Sequence, residues 1–200
     1  MVMSTQRLPH WLLLSFCSLI LALTLVACSF GSGSSTSSST PTTASTTLTS
    51  YSGNGFTVSY PQGWKVNKDN TGVTFSDPNG IAYLSVRTSQ NPGGLLSTDA
   101  QVNVGLQAFK SQAKNYQQVN VPATTTIAGE SWAQGAATGD VVPQGQSAAV
   151  NVKLVVDSDN HPAQQPTTQA YVIAYATGSQ VFDLANSADF QPMLQSFKFA

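Results

Sequence analysis

Three residues of types that bind metal ions alternate along one segment of the chain: Asp157, Asp159 and His161. In an extended segment, side chains two residues apart point to the same side, so two carboxylates and one imidazole would face the same metal ion. Such a set suits a divalent transition metal. The same residue types also build solvated turns, so the alternative is a polar loop from Asp157 to Gln169.

A second reactive group is the thiol of Cys28, which follows an apolar run over residues 11–26. A short segment with Arg7, then an apolar run, then a small residue is the order of a signal peptide. The four residues Leu25-Val26-Ala27-Cys28 are typical of a bacterial lipobox, because Leu25 stands where the general signal peptidase needs a small residue. We therefore expect a diacylglycerol thioether at the Cys28 sulfur, the most nucleophilic side-chain atom available.

Residues 1–27 are thus predicted to be a lipoprotein signal peptide that is removed. The alternative is an uncleaved transmembrane anchor, but the apolar run is shorter than the roughly 20 residues that span a bilayer. Cys17 would leave with the signal peptide and Cys28 would carry lipid. No thiol would then remain for a disulfide, a metal site or catalysis.

A third segment, Gly129-Glu130-Ser131-Trp132-Ala133, approaches the G-x-S-x-G pattern of a hydrolase nucleophile elbow. That elbow needs a strand, a sharp turn and a helix, whereas the residues after Ser131 are predicted to form a strand. His161 is the only candidate base in the mature chain. A hairpin turn is therefore favoured, and neither a catalytic residue nor a cofactor is predicted.

Composition limits the partners of this protein. Charged residues make up 8% of the chain, against roughly 25% in ordinary soluble domains. After residue 27, six lysines and Arg87 face eight aspartates and Glu130, a net charge of −2. Nucleic-acid binding needs a basic stripe, and binding to anionic lipid needs a basic patch. Both partner classes are disfavoured.

Residues 28–50 are predicted to be the lipidated cysteine and a flexible linker. The segment after Cys28 is almost wholly Ser, Thr and Gly, with Pro41 and no charge, which is a composition that cannot bury a core. O-glycosylation of this linker is left open by its sequence. Residues 51–200 are long enough for one domain with its own core.

Alternation of apolar and polar residues predicts mostly strands in residues 51–200. Turns such as Pro61-Gln62-Gly63 and Asp77-Pro78-Asn79-Gly80 separate these strands. The predicted strands lie near residues 56–60, 64–66, 73–75, 81–88, 119–121, 125–127, 132–138, 150–156 and 171–175.

Two helices are expected. The first begins at Thr98, with Thr98 and Gln101 as a capping box and Lys110 and Lys114 near its negative end. Its apolar side chains recur at helical spacing: Val102, Leu106, Phe109 and Ala113. The second is predicted near the end of the chain, with Ser187 as its cap and three apolar residues on one face: Phe190, Leu194 and Phe197.

The domain resembles the PsbP family, the extrinsic oxygen-evolving proteins of photosystem II and their relatives. The resemblance is carried by residues 55–64 (GFTVSYPQGW), 73–78 (VTFSDP) and 193–199 (MLQSFKF). It implies an α+β fold, an antiparallel β-sheet with helices on both faces, called an α-β-α sandwich. The matched residues have structural roles, and the same fold serves a nuclear partner of Ran GTPase, so the resemblance implies a fold and no particular ligand.

These observations predict a membrane-anchored lipoprotein on the extracytoplasmic side of the cell membrane, held there through lipidated Cys28. Its domain is expected to act as a non-enzymatic binding or scaffold module for an envelope protein or ligand. The alternative is a lipoprotein that binds a small molecule or a metal, with an envelope hydrolase third.

Overall fold

The computed structural model describes residues 47–142 and 147–200. The predicted signal peptide, Cys28 and linker residues 29–46 lie outside the described residues. The first strand begins at Leu48, so the last three residues of the predicted linker belong to the folded domain. No helix among the described residues has the length and apolar character needed to cross a membrane.

Eleven strands are present in the described part of the chain. Their bounds are β1 Leu48–Gly53, β2 Phe56–Pro61, β3 Lys65–Asp69, β4 Gly72–Ser76, β5 Tyr83–Gln90, β6 Lys114–Val119, β7 Thr124–Ile127, β8 Glu130–Val141, β9 Val150–His161, β10 Gln169–Gly178 and β11 Lys198–Phe199. The strands β1, β2 and β11 form one sheet, and the others form a larger sheet in the order β3-β4-β5-β10-β9-β8-β6, with β7 also paired to β8. The strand pairs are antiparallel, which confirms the α+β class with a mostly antiparallel sheet.

The long helix α1 spans Thr98–Lys110 and lies against β8 and β9. The predicted cap is wrong by one residue, because the Ser97 hydroxyl accepts the backbone N–H of Ala100. Gln101 is buried instead of completing a capping box. The helix also ends earlier than predicted, since Lys114 pairs with Asp140 at the start of β6.

The C-terminal helical segment begins well before the predicted cap. A 3₁₀ turn at Ser179–Val181 leads into α2, Phe182–Ala185, then a π-helical turn at Asn186–Phe190, then α3, Gln191–Ser196. Ser187 therefore lies inside the segment, where its hydroxyl donates to the Leu184 carbonyl and caps nothing. Phe197 follows α3 in an extended conformation and is buried.

The strand β9 is longer than predicted. It runs to His161, so Asp157, Asp159 and His161 are strand residues and the expected polar loop contains only residues 162–168. The backbone pairs Asp157 with Ile173 and Asp159 with Tyr171 of β10. The end of β9 stays in the sheet because its backbone groups are paired and its polar side chains have buried polar partners, although its composition is typical of a loop.

The apolar core falls into two clusters. The larger core contains the most deeply buried aromatic side chains, including Phe56, Phe75, Trp132, Phe190 and Phe197. The smaller core lies between α1 and the strands β8, β9 and β10 and includes Val102, Leu106, Phe109, Leu154 and Val156. Of the polar residues at the end of β9, Asp157 and Asp159 share a face with Val155 of the larger core, and Ser158 and Asn160 face the side of α1.

Candidate functional site

A tight hairpin turn places Glu130 at the start of β8. Ala128 and Gly129 both have positive φ, 54° and 82°, as a two-residue turn of type I′ requires. Ile127 pairs with Glu130 across this turn, so the segment is a hairpin and has no strand-to-helix elbow. Ser131 is exposed and paired with Thr126, which confirms the turn that the sequence favoured over a hydrolase motif.

The register between β8 and β9 brings Glu130 to His161. Ala133 pairs with Ser158, and continuing this antiparallel register by three residues sets Glu130 opposite His161. Nδ1 of His161 lies 2.9 Å from Oε1 of Glu130, a hydrogen-bond distance. Asp159 lies on the same face two residues before His161. The ligand atoms of Glu130, Asp159 and His161 all lie within 4.8 Å of one another.

Aromatic rings fix one side of this group, which we call the Glu130–Asp159–His161 cluster. The His161 ring stacks on Phe199 with centroids 3.7 Å apart and an angle of 6° between planes. Phe199 also contacts the rings of Trp132 and Tyr171. Because Phe199 belongs to β11, the last strand of the described chain holds the imidazole in place.

The carboxyl group of Asp159 is the buried member of the cluster. Its residue is 8% exposed, and its Oδ2 has no hydrogen-bond partner among the described residues. Burial raises its pKa above the ordinary value, and the neighbouring Glu130 carboxyl raises it further, while His161 acts in the opposite direction. Nε1 of Trp132, on the adjacent strand, is also buried without a partner among the described residues.

The carboxyl of Asp157 is separate from the cluster. It is fully buried, and its Oδ1 accepts a hydrogen bond of 2.9 Å from Nε2 of Gln134. The Tyr175 hydroxyl lies beside it. Burial raises the pKa of Asp157 to about 7, although the contacts with Gln134 and Tyr175 act to lower it.

The structure therefore brings together two of the three residues predicted to bind metal, Asp159 and His161, and adds Glu130 in place of Asp157. Metal binding itself stays a prediction. Glu130 is the only glutamate in the chain, and it stands directly after a turn sequence. Its position after a turn indicates the start of a strand. The closeness of Glu130 to His161 depends on strand pairing and cannot be predicted from the local sequence.

The other predicted site residue, Cys28, lies outside the described residues. Its lipidation rests on the sequence Leu25-Val26-Ala27-Cys28.

The secondary structure and strand order define an α+β domain with mostly antiparallel sheets and a few helices. It is similar to the crystal structure of LpqN, a protein involved in cell envelope biogenesis of Mycobacterium tuberculosis, with a TM-score of 0.50 and 11% identity over 77% of this chain and 91% of LpqN. A crystal structure from Bacteroides thetaiotaomicron matches at a TM-score of 0.44 and 9% identity, over 73% of this chain and 45% of the other. No protein-family model and no curated protein matches the sequence, so membership of the PsbP family stays a prediction.

Proposed function

We propose that this protein is a lipid-anchored module of the cell envelope that faces the extracytoplasmic side and binds a partner without catalysing a reaction. The observation that carries the proposal is the lipobox at Leu25–Cys28, followed by an uncharged Ser/Thr-rich segment and then a folded domain. A lipidated cysteine fixes one end of the chain to the membrane, since two acyl chains hold a protein stably at about 0.8 kcal/mol per buried methylene. The likeness to LpqN supports the fold, and LpqN itself is involved in cell envelope biogenesis.

The contacts of the imidazole argue against a serine hydrolase, the third function that the sequence left open. His161 contacts the Glu130 carboxylate and the Phe199 ring, whereas a serine hydrolase would need a serine hydroxyl beside the imidazole. Ser131, the serine of the elbow-like segment, is exposed in the β7–β8 hairpin, next along the chain to Glu130 and therefore on the opposite face of the strand.

The PsbP-like sandwich forms part of the same proposal. Neighbouring residues of β9, Val155 and Val156, belong to different core clusters. Because successive side chains of a strand point to opposite faces, each cluster covers one face of the large sheet. The larger core includes Phe182, Phe190 and Met193 of the C-terminal helical segment, and α1 contributes to the smaller core. This division supports helices on both faces.

Protease accessibility tests the location. The full-length protein, carrying a C-terminal tag and produced in a bacterium that processes lipoproteins, is expected in the membrane fraction and is expected to be degraded by protease added to spheroplasts. A cytoplasmic protein in the same cells is the control and must survive. Recovery of the protein in the soluble fraction, or its protection in intact spheroplasts, would contradict the proposal.

Crosslinking tests the binding role. Cells expressing the full chain are treated with a short amine-reactive crosslinker, which can join lysines such as Lys65 and Lys68 to a close neighbour. A control protein retains residues 1–50 and carries an unrelated domain. A discrete crosslinked species obtained with the full chain and absent from the control supports the proposal, and identical patterns from the two proteins contradict the domain's role in binding.

A further inference from the structure

The Glu130–Asp159–His161 cluster has the composition and spacing of a metal site. It offers two carboxylates and one imidazole from two paired strands, with Nδ1 of His161 and Oε1 of Glu130 2.9 Å apart and the whole set of ligand atoms within 4.8 Å. A tetrahedral zinc ion with bonds of about 2.0–2.2 Å needs ligand atoms roughly 3.4 Å apart. Side-chain movements that shorten these separations by at most about 1.4 Å would therefore suffice to surround an ion at zinc bond lengths.

A second observation points to a ligand at this place. Asp159 is more than nine-tenths buried, and Oδ2 of its carboxyl has no hydrogen-bond partner of good geometry among the described residues. A buried polar atom without a partner destabilises the folded state, so such atoms in a folded protein call for an explanation. A cation bound between Asp159 and Glu130 would satisfy this oxygen and remove the repulsion between two neighbouring carboxylates.

The cluster is held by regular structure. Asp159 lies within β9, where it pairs with Tyr171 of β10, and Glu130 opens β8 after a two-residue turn. The imidazole is stacked on Phe199. Ligands on strands, with a ring locked by packing, keep their geometry better than ligands on a loop.

We propose that Glu130, Asp159 and His161 bind one divalent transition-metal ion, with Zn²⁺ the best fitted, and leave a remaining coordination position for water or an anionic group. The imidazole favours zinc over calcium and magnesium, which prefer six or more oxygen ligands. Three protein ligands with one open position are the pattern of zinc sites that exchange a fourth ligand. The proposal goes beyond the envelope role and does not depend on Cys28.

Titration calorimetry on the full-length protein in detergent tests the proposal, with Zn²⁺, Mn²⁺ and Ca²⁺ as the probes. We expect one Zn²⁺ per chain, tighter binding of Zn²⁺ than of Mn²⁺, and the weakest binding with Ca²⁺. Glu130→Gln and His161→Gln are each expected to weaken Zn²⁺ binding by about tenfold or more, since even residues behind the ligands contribute 10- to 100-fold.

Two matched variants make the result specific. Asp157→Asn removes a carboxylate that the sequence predicts as a metal ligand but that lies outside the cluster. This variant is expected to keep a Zn²⁺ affinity within about twofold of wild type. Asp183→Asn removes a side chain that is 97% exposed and controls for nonspecific binding. Zn²⁺ should also raise the melting temperature of the wild type and of both controls, and at the same concentration it should raise that of Glu130→Gln by less.

Three results would overturn the proposal: no Zn²⁺ binding by the wild type, equal affinity in wild type and Glu130→Gln, or loss of binding in Asp157→Asn with retention in Glu130→Gln. The Glu130 side chain is 39% exposed, so Glu130→Gln is expected to fold, and its melting curve without metal checks this. None of these results bears on the lipid anchor, which is measured separately.

Discussion

The carboxyl group of Asp157 is surrounded by the apolar core. Its residue is fully buried, it receives one hydrogen bond from Gln134, and its Oδ2 has no partner of good geometry among the described residues. Burial therefore favours the protonated form in the folded protein and raises the pKa of Asp157 to about 7 from its ordinary value of 3.8. Between these two values the folded state holds a proton that the unfolded chain has released, so the free energy of unfolding falls as pH rises.

Asp157→Asn is expected to remove this pH dependence. The amide is similar in shape to a protonated carboxyl, so the variant and the wild type should have similar stability near pH 4. Above about pH 7 the variant should be more stable by as much as about 4 kcal/mol, at 1.36 kcal/mol per pKa unit. Urea unfolding at several pH values measures the difference, and the exposed Asp183→Asn is the control. A constant difference between pH 4 and pH 8 would show that Asp157 does not titrate in this range.

For single residues, the sequence predicted the direction of a side chain better than it predicted which residues surround that side chain. Period two correctly placed Asp157, Asp159 and His161 on one face of an extended segment. It could not show that Asp157 faces Gln134 in the interior while Asp159 meets Glu130, because both neighbours come from another strand through backbone register. Register is set by the packing of the whole sheet and not by local sequence.

Helix α1 is joined to β9 by buried polar groups as well as by apolar side chains. Nε2 of Gln101 donates to Oδ1 of Asn160 at 2.8 Å and to the Leu96 carbonyl at 3.0 Å. The Ser158 hydroxyl donates to Oε1 of Gln101 at 2.6 Å. Asn91 also donates to Asn160. These groups satisfy one another where water is excluded, so the network fixes the helix at one position along the strand.

Gln101→Leu is therefore expected to destabilise the protein by about 1–3 kcal/mol, because its partners lose bonds in a buried place. The matched control is Gln107→Leu, the same substitution at an exposed position of the same helix, expected to change stability by less than about 0.5 kcal/mol. Urea denaturation of both variants measures the two values. Equal values would mean that the network adds nothing to the docking of α1.

The contact between α1 and the sheet also depends on close packing at Gly135 of β8. A Cβ built at Gly135 of β8 would lie 2.7 Å from Cγ1 of Val102 and 3.0 Å from Cδ1 of Leu106. Gly135→Ala is expected to cost about 1–3 kcal/mol, because the stiff Val102 side chain cannot easily move away. Gly178→Ala is the control, since the nearest atom to its Cβ is 3.8 Å away. Thermal unfolding of both variants measures the difference, and an unchanged melting temperature in Gly135→Ala would show that α1 can shift to make room.

The elements themselves were predicted with uneven success. The apolar spacing of Val102, Leu106 and Phe109 identified α1 and its buried face correctly. Its end was missed because Ala113 continues the helical pattern, although it lies against Gly139 as the chain turns into β6. Composition predicts a loop for the last residues of β9, because the partners that keep Ser158 and Asn160 in the sheet come from α1 and the segment before it.

At the scale of the whole molecule, the C-terminal end of the chain pairs with β2, the second strand of the described domain. The hydroxyl of Ser196 accepts the backbone N–H of Ser59, and the backbone N–H of Ala200 donates to the Gly55 carbonyl. Phe197 stacks on Phe56 of β2. The C-terminal strand that holds His161 is therefore built into the same small sheet as the first strands of the domain.

The predicted lipid anchor at Cys28 precedes β1 in the sequence. Palmitate labelling tests whether the anchor forms. The wild type is expected to incorporate the label, and Cys28→Ser is expected to lose it, because a serine hydroxyl is too weak a nucleophile to replace the thiol. Cys17→Ser is the matched control, since it changes the only other cysteine of the chain and should leave labelling intact. Label retained in Cys28→Ser, or lost in Cys17→Ser, would place the lipid elsewhere and remove the basis for an envelope-anchored role.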